Sequence, residues 1–396
     1  MSADILQIKD FSASRQAARE KYLWPGFGRL IRISPMERET IEKLAAIVGP
    51  EHLTTTSEEL LCYSYDGSGL TYPPEAVIFP GNTAEVSAVM QLATARGFAV
   101  VPRGAGSGMT GGAVPVAGGV VMGMNRFNRI LEIDRANQVA VVEPGMITGI
   151  FQSEVAKVGL FYPPDPASQQ FCTLGGNVAE CAGGPRAVKY GVTRDYILGL
   201  EAVLADGRII HTGVRTAKGV AGYDLTRLLV GSEGTLAIIT RIIVRLLPQP
   251  GARATFQLLF TDLASATGLV SRLLGQLTPS TLEYMDRTAL RIVADSLPAP
   301  LPTATAALLL IEFDGDSEVV ELQARSLEKF LAGQPGLLET RRAVAGPDTE
   351  QLWASRRAIS PATFKLKPHK IGEDVVVPRT RIPELVAFAE ELADRH

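Results

Sequence analysis

The stretch Pro102-Arg-Gly-Ala-Gly-Ser-Gly-Met-Thr-Gly-Gly112 restricts the fold of this chain more than any other. It follows Phe98-Ala-Val-Val101, which reads as a strand, and it contains a formal GxGxxG from Gly106 to Gly111. In a dinucleotide-binding βαβ unit that pattern opens a helix whose N-terminus holds a pyrophosphate. Here it runs into Ala113-Val-Pro-Val-Ala-Gly-Gly119. A central proline and a glycine pair cannot continue a helix. If the loop binds phosphate, it does so with its own amides, as a concave nest. The other reading of this cluster alone is a flexible surface loop.

Two further clusters follow in order. The second is Tyr162-Pro-Pro-Asp-Pro-Ala-Ser168 with Thr173-Leu-Gly-Gly-Asn-Val-Ala-Glu-Cys-Ala-Gly-Gly184. The third is Tyr223-Asp224 with Gly231-Ser-Glu-Gly-Thr-Leu-Ala-Ile-Ile-Thr240. Around them the pattern is regular. Residues 36–62 carry helical spacing through Met36, Ile41, Leu44, Ile47 and Val48. Residues 76–80 read as a strand, with Asn82 and Thr83 capping a helix over 84–96. Strands are expected at 120–124, 130–133, 139–142, 200–205, 208–212 and 235–247, and a helix at 150–158. Asp206-Gly207 signals a hairpin. Pro248, Pro250 and Gly251 mark a linker. Beyond it, apolar strands at 256–260 and 306–313 alternate with helices at 262–275, 317–332 and 349–360, which suggests a smaller α+β domain of ferredoxin-like type.

Composition removes several classes. The net charge of −3 offers no basic field for nucleic acid. The cysteines, Cys62, Cys172 and Cys181, have no CxxC spacing, which argues against a disulfide framework or a cysteine-ligated iron–sulfur cluster. No two of His52, His211, His369 and His396 lie four apart, so a helical two-histidine metal site is not visible. The charged first residues lack a signal-peptide core, and no apolar run is long enough to span a bilayer. The expected location is the cytoplasm, with a peripheral contact at the inner face of the membrane left open.

Taken together, the three ordered motifs resemble the flavin domain of the vanillyl-alcohol-oxidase-type FAD proteins, in the branch of glycolate oxidase, D-lactate dehydrogenase and D-2-hydroxyglutarate dehydrogenase. The resemblance implies an α+β protein. After an extension over residues 1–40, a two-part FAD-binding domain would span 41–250, divided into about 41–147 and 148–250. A ferredoxin-like substrate or cap domain would occupy 251–396. It also implies residue roles. The amides of Arg103, Gly104, Ala105, Gly106, Ser107, Gly108, Met109 and Thr110 would cradle the FAD pyrophosphate. Pro164 and Asp165, with Thr173, Gly175, Gly176 and Asn177, would line the ribityl and isoalloxazine side. Glu233, Gly234 and Ile238 would close over the other end. Relatives with covalent flavin carry histidine where this chain has Ser107, and a hydroxyl is a poor nucleophile beside an imidazole. Non-covalent FAD is therefore expected. Cys181 stands where related sequences often have asparagine.

On the substrate side, Leu352-Trp353-Ala-Ser-Arg356-Arg357 sits on a helix, and the resemblance assigns a substrate-carboxylate ligand to Arg356. Arginine matches a carboxylate in a bidentate fork. Lys370, before Ile371-Gly-Glu-Asp374, matches a basic residue turned towards the substrate. The implied reaction oxidises a D-2-hydroxy acid to the 2-oxo acid by hydride transfer to flavin. The electrons would pass to a quinone, an electron-transfer flavoprotein, or a partner subunit carrying an iron–sulfur cluster or a second flavin. The family's His-x-Gly-Asp-Gly-Asn-x-His and Glu-His segments, which supply a divalent metal and the catalytic histidine, do not occur here. The expectation is a C-terminally truncated chain that binds FAD without turnover. The rival reading is a non-catalytic FAD-binding subunit of a glycolate-oxidase-like complex.

Overall fold

The computed structural model describes residues 36–297, 299–344, 347–366, 372 and 374–395. The first lobe runs α1 (Arg38–Val48), β1 (Leu53–Thr54), α2 (Ser57–Cys62), β2 (Ala76–Ile78), α3 (Thr83–Arg96), β3 (Val100–Arg103) and β4 (Val120–Gly123). The helical pattern over 36–62 is split in two, because Gly49 takes a left-handed φ of +92° and Pro50 follows it. The strands lie in the order β1-β2-β4-β3, with β2 and β3 parallel to β4. A strand covered on both faces needs apolar residues throughout, and every residue of β2 and β4 is buried. The Asn82 side chain accepts the Glu85 amide at 3.0 Å and caps α3, an interaction worth about 1 kcal/mol.

The second lobe contains β5 (Ile130–Asp134), β6 (Val139–Val142), α4 (Thr148–Lys157), β7 (Leu160–Phe161), α5 (Leu174–Glu180), α6 (Ala187–Tyr190), β8 (Ile197–Val203), β9 (Ile209–Gly213), α7 (Leu225–Leu229), β10 (Ile238–Arg245) and β11 (Leu247–Pro248). Its sheet has the order β5-β6-β10-β8-β9. This pairing moves the division between the lobes. β5 and β6 precede residue 147, yet Val139–Val142 pairs with β10. The chain therefore changes lobe between β4 and β5. Asp206-Gly207 makes the β8–β9 turn: Gly207 has φ +84°, and the Leu204 amide donates to the Arg208 carbonyl at 2.9 Å. Phe151, Tyr162 and Tyr196 pack edge to face in the core of this lobe.

The third unit is built from β12 (Ala252–Phe260), α8 (Leu263–Leu274), β13 (Thr281–Asp286), α9 (Arg287–Ile292), β14 (Ala307–Gly315), α10 (Ser317–Leu331), β15 (Leu337–Val344), α11 (Pro347–Ala362) and α12 (Ile382–Arg395). The antiparallel order β13-β14-β12-β15 is that of a ferredoxin-like sheet. Successive strand residues face opposite sides. Phe256, Leu258, Phe260, Leu309, Ile311 and Phe313 point to one side and share a core with residues of α8 and α10. On the other side, Leu259, Leu308 and Leu310 cluster with Leu352 of α11, and farther along the same strands come Thr255, Glu312 and Asp314. Those polar residues face the second lobe. Among the described residues no helix is long and apolar enough to cross a membrane.

Candidate active site

The glycine loop connects β3 to β4 without a helix. Gly106 and Gly111 adopt φ of +66° and +87°, which glycine alone takes without strain. The Arg103 side chain folds under the loop. Its Nη1 donates to the Ala113 carbonyl at 3.2 Å, and its guanidinium lies 5.7 Å from the centre of the Tyr63 ring. Burial lowers its pKa, and the nearby Asp66 charge opposes that shift. A Cβ on Gly106 would come within 2.1 Å of this guanidinium. Arg103 therefore acts as a strut beneath the loop. The Gly67 amide binds the Gly108 carbonyl at 2.8 Å and ties the loop from outside. Among the described residues, the amides of residues 104–112 find no protein acceptor.

The facing wall is the start of α5. Thr173 caps this helix by accepting the Gly176 amide at 3.2 Å. A Cβ on Gly104 would lie 2.2 Å from Thr173 Oγ1, and one on Gly175 would lie 2.5 Å from Pro144. The loop backbone at Gly104 thus packs directly on the Thr173 side chain, and the helix start at Gly175 packs on Pro144. Beside them opens a cleft of about 370 Å³, lined by Gly104, Ala105 and Thr173, by Asn125 and Asn128, and by Gly145, Met146, Ile147 and Ile150. The asparagines and the 145–150 wall were not anticipated from sequence. The one local signal is Gly145, whose absent side chain makes room for the Met124 carbonyl 2.2 Å from its Cβ position.

The remaining expected residues divide. Ser107, Gly108, Met109 and Thr110 share the loop, and the Thr110 hydroxyl donates to Glu180 at 3.1 Å. Burial pushes the Glu180 pKa up, opposed by that hydrogen bond and reinforced by Glu233 and Asp66. Glu233 and Gly234 both have left-handed φ, and a Cβ on Gly234 would meet Pro102 at 2.7 Å. Asn177 is buried and spends its side chain on Thr148 Oγ1 at 2.7 Å, bracing α4 against α5. Ile238 is a core residue paired with Val203 in the sheet.

Pro164 and Asp165 sit on a segment clamped by Gln152, whose Nε2 donates to the Tyr162 and Pro164 carbonyls at 3.2 and 2.8 Å. Asp165 accepts the Arg186 amide at 3.2 Å and lies 3.5 Å from Arg186 Nε. Burial pushes its pKa up to about 6; Arg186 opposes the shift, while Glu283 and Glu312 of the third unit add to it. Asp165 therefore faces the cap sheet. There, Arg356 on α11 places Nε and Nη2 each 2.6 Å from Glu283 Oε2, and Trp353 donates Nε1 to Glu312 at 3.1 Å. Lys189 and Tyr190 of α6 both reach Asp314, at 2.5 and 2.9 Å. Arg357 is turned away and pairs with Glu350. Lys370 and His369 lie outside the described residues. Among the described residues no group of three or more histidine, cysteine, aspartate or glutamate side chains is placed to hold a metal ion.

Comparison with known proteins decides what this arrangement belongs to. Residues 74–213 match the family described as FAD binding domain, and residues 249–396 match that of FAD linked oxidases, C-terminal domain. Over 361 residues the chain is 41% identical to glycolate oxidase subunit GlcD of Bacillus subtilis, covering 91% of this chain and 77% of that protein. This chain belongs to the FAD-linked oxidases. It is also 34% identical over 337 residues to D-lactate dehydrogenase of Anaerostipes hadrus, covering 81% and 68% of the two chains. Among solved structures, an alkyldihydroxyacetonephosphate synthase shares the fold with a TM-score of 0.72 at 23% identity, over 85% of this chain and 68% of that one. p-Cresol methylhydroxylase with substrate bound does so at 0.68 and 18%, over 82% and 71%.

The residues present fit FAD. A row of unanswered amides suits a pyrophosphate, and Gly104 lets the loop backbone close on Thr173, whose Oγ1 lies 2.2 Å from where a Cβ would stand beside the cleft. Gly104→Ala should therefore lower FAD affinity at least about tenfold, a loss of roughly 1.4 kcal/mol, while Ala105→Gly changes it little. Titrating apoprotein with FAD by fluorescence checks this, and equal affinities for Gly104→Ala and the parent would sink the close-contact argument. Asp165 gives a pH signature. Its folded pKa lies above the usual 3.8, so in that window the folded state binds more protons than the unfolded state. Stability then falls as pH rises from about 4 to about 6 and levels off above. Asp165→Asn should flatten this part of the urea-midpoint curve. Parallel curves for the two proteins would show that the raised pKa has no thermodynamic weight.

Proposed function

We propose that this chain binds FAD non-covalently and oxidises a D-2-hydroxy acid, such as glycolate or D-lactate, to the 2-oxo acid. The observation that carries the reading is Arg356. It stands on the cap face turned towards the second lobe, opposite the Pro164-Asp165 segment, with one edge of its guanidinium held by Glu283. The names of the relatives, glycolate oxidase subunit and D-lactate dehydrogenase, support the same substrate class. In this reading FAD, held by the 103–110 loop, would supply the hydride acceptor for the alcohol carbon, and the hydroxyl proton would leave to a general base. Arg356 fixes the substrate carboxylate through its remaining N–H groups and so sets the distance of the reacting carbon, the part of catalysis that proximity supplies. The segment of Pro164 and Asp165 closes the opposite side and keeps water out. Lys370 is a second candidate for the carboxylate. The electrons leave to a quinone, an electron-transfer flavoprotein or a partner subunit with its own cofactor.

Two measurements test this. Anaerobic addition of glycolate or D-lactate to FAD-loaded protein should bleach the flavin absorbance, whereas substrate binding without bleaching would match the expectation of a chain that holds FAD without turnover. Arg356→Ala should raise the substrate Kd about 10- to 150-fold, because a charge-assisted hydrogen bond contributes roughly 1.5–3 kcal/mol, with FAD content unchanged. Bleaching at the same substrate concentration in the variant would remove Arg356 from the site. Acid precipitation should also release all the yellow colour, as Ser107 offers no covalent attachment. Colour held in the pellet would contradict non-covalent binding.

A further inference from the structure

The cap holds a second hollow, of about 490 Å³, which shares no lining residue with the cleft beside Gly104. It lies between α9 and the segment that leads into β14. Leu290, Leu297 and Leu301 give it an apolar floor, and Arg287 and Arg291 line it from positions one helical turn apart. Among the described residues neither arginine side chain has an ion pair or a hydrogen bond. The one acid of the lining, Asp295, forms no ion pair with either, so the hollow keeps a net positive charge. Thr305 lines it too. This residue is more than nine-tenths buried, and its Oγ1 has no hydrogen-bond partner among the described residues. Asp286 pairs with Ala307 across β13 and β14. Thr305, two residues before Ala307, therefore lies beside the first turn of α9, where Arg287 stands. A folded chain rarely leaves a buried hydroxyl unanswered. The lining thus sets two cations and an unused hydroxyl beside an apolar floor.

We propose that this hollow binds a small amphipathic anion, at a site separate from those for FAD and substrate. The head, a carboxylate or a phosphate, takes the guanidinium groups of Arg287 and Arg291 and the hydroxyl of Thr305. The hydrocarbon body lies on Leu290, Leu297 and Leu301. Arginine forks match either head. Ligand pockets commonly hold about 300–1,000 Å³ and join an apolar lining to a few placed polar groups, and this hollow has both properties. A neutral ligand would leave two like charges unanswered, and a bare inorganic anion would leave the leucines wet. Only a molecule with both parts satisfies the whole lining.

The test is equilibrium dialysis of the FAD-loaded full chain against four probes. Octanoate and octyl phosphate carry both parts, 1-octanol carries the chain alone, and inorganic phosphate carries the charge alone. One of the two amphiphiles should bind once per chain, and the tighter one names the head. Octanol and inorganic phosphate should each bind at least about tenfold more weakly, for want of a charge-assisted contact or of apolar burial. Arg287 and Arg291 are exposed, so replacing them leaves the core intact. The double variant Arg287→Gln, Arg291→Gln should weaken the amphiphile at least about tenfold. Thr305→Val keeps the shape of the side chain, removes its hydroxyl and should weaken binding about threefold or more. Arg356→Ala should leave this binding unchanged, because Arg356 lies outside the hollow. Octanol binding as tightly as octanoate overturns the proposal, as does the parent's affinity in the double variant or in Thr305→Val. Loss of binding in Arg356→Ala would put the ligand in the substrate site and overturn it too. Uptake of neither amphiphile has the same consequence.

Discussion

A row of backbone donors that the protein leaves unanswered governs this architecture. Backbone N–H groups are obligatory hydrogen-bonding groups, and a folded chain ordinarily pairs them. The amides of residues 104–112 have no protein acceptor among the described residues. The surroundings keep the loop in that state. Arg103 props it from below, Gly67 ties it at Gly108, and Thr173 stands where a side chain on Gly104 would have to go. A ligand bound only by the folded form adds its binding free energy to stability. Bound FAD would therefore complete the fold as well as supply its chemistry. Held at this loop, it would answer donors in the first lobe and rest against a helix start in the second.

The contact between the second lobe and the cap follows a different rule. A ferredoxin-like sheet has two faces, and only one can be covered by its own helices. β14 shows the division residue by residue: Leu309, Ile311 and Phe313 enter the core shared with α8 and α10, while Glu312 and Asp314 meet polar partners. Buried charges persist only when paired and hydrogen-bonded. Asp314 accordingly receives both Lys189 and Tyr190 from the flavin-side lobe. These contacts seat the cap on the lobe by polar complementarity rather than by apolar area. They also leave this cap face lined with groups whose charge is largely spoken for.

How much of this was legible in the sequence depended on the range of the interaction. Short-range features were. Asn82 and Thr83 announced the start of α3, Asp206-Gly207 announced the β8–β9 turn, and the residues after Gly112 excluded a helix at the loop. The order of cap elements also emerged, because β12 and β14 are apolar on both faces over most of their length. β13 and β15 escaped notice: Thr281–Asp286 and Leu337–Val344 mix charged with apolar residues, since they serve a sheet whose second face is polar. The lobe boundary was displaced for a related reason. Nothing local to Val139–Val142 says that its partner is β10, a hundred residues away in the chain. The cleft wall from Asn125 to Ile150 comes from turns that converge only in three dimensions. The pairing of Arg356 with Glu283 was not legible, because separation in sequence carries no signal of contact.

That pairing has its own structural cause. Leu352 is buried against Leu259, Leu308 and Leu310, so the apolar half of the cap face fixes the rotation of α11 about its axis. Residues three apart on a helix project to the same side. Once Leu352 is seated, Trp353 and Arg356 are turned together onto the polar half of the same face, where they meet Glu312 and Glu283. The hydrophobic contact therefore decides the position of the charged group. Rotating the helix by one residue would send Arg356 towards solvent, the direction that Arg357 takes. The part of the face nearest Leu352 supplies burial, and the part beyond it supplies polar partners. Both follow from one alternation along β14, in which every second residue faces α11 and the flavin-side lobe.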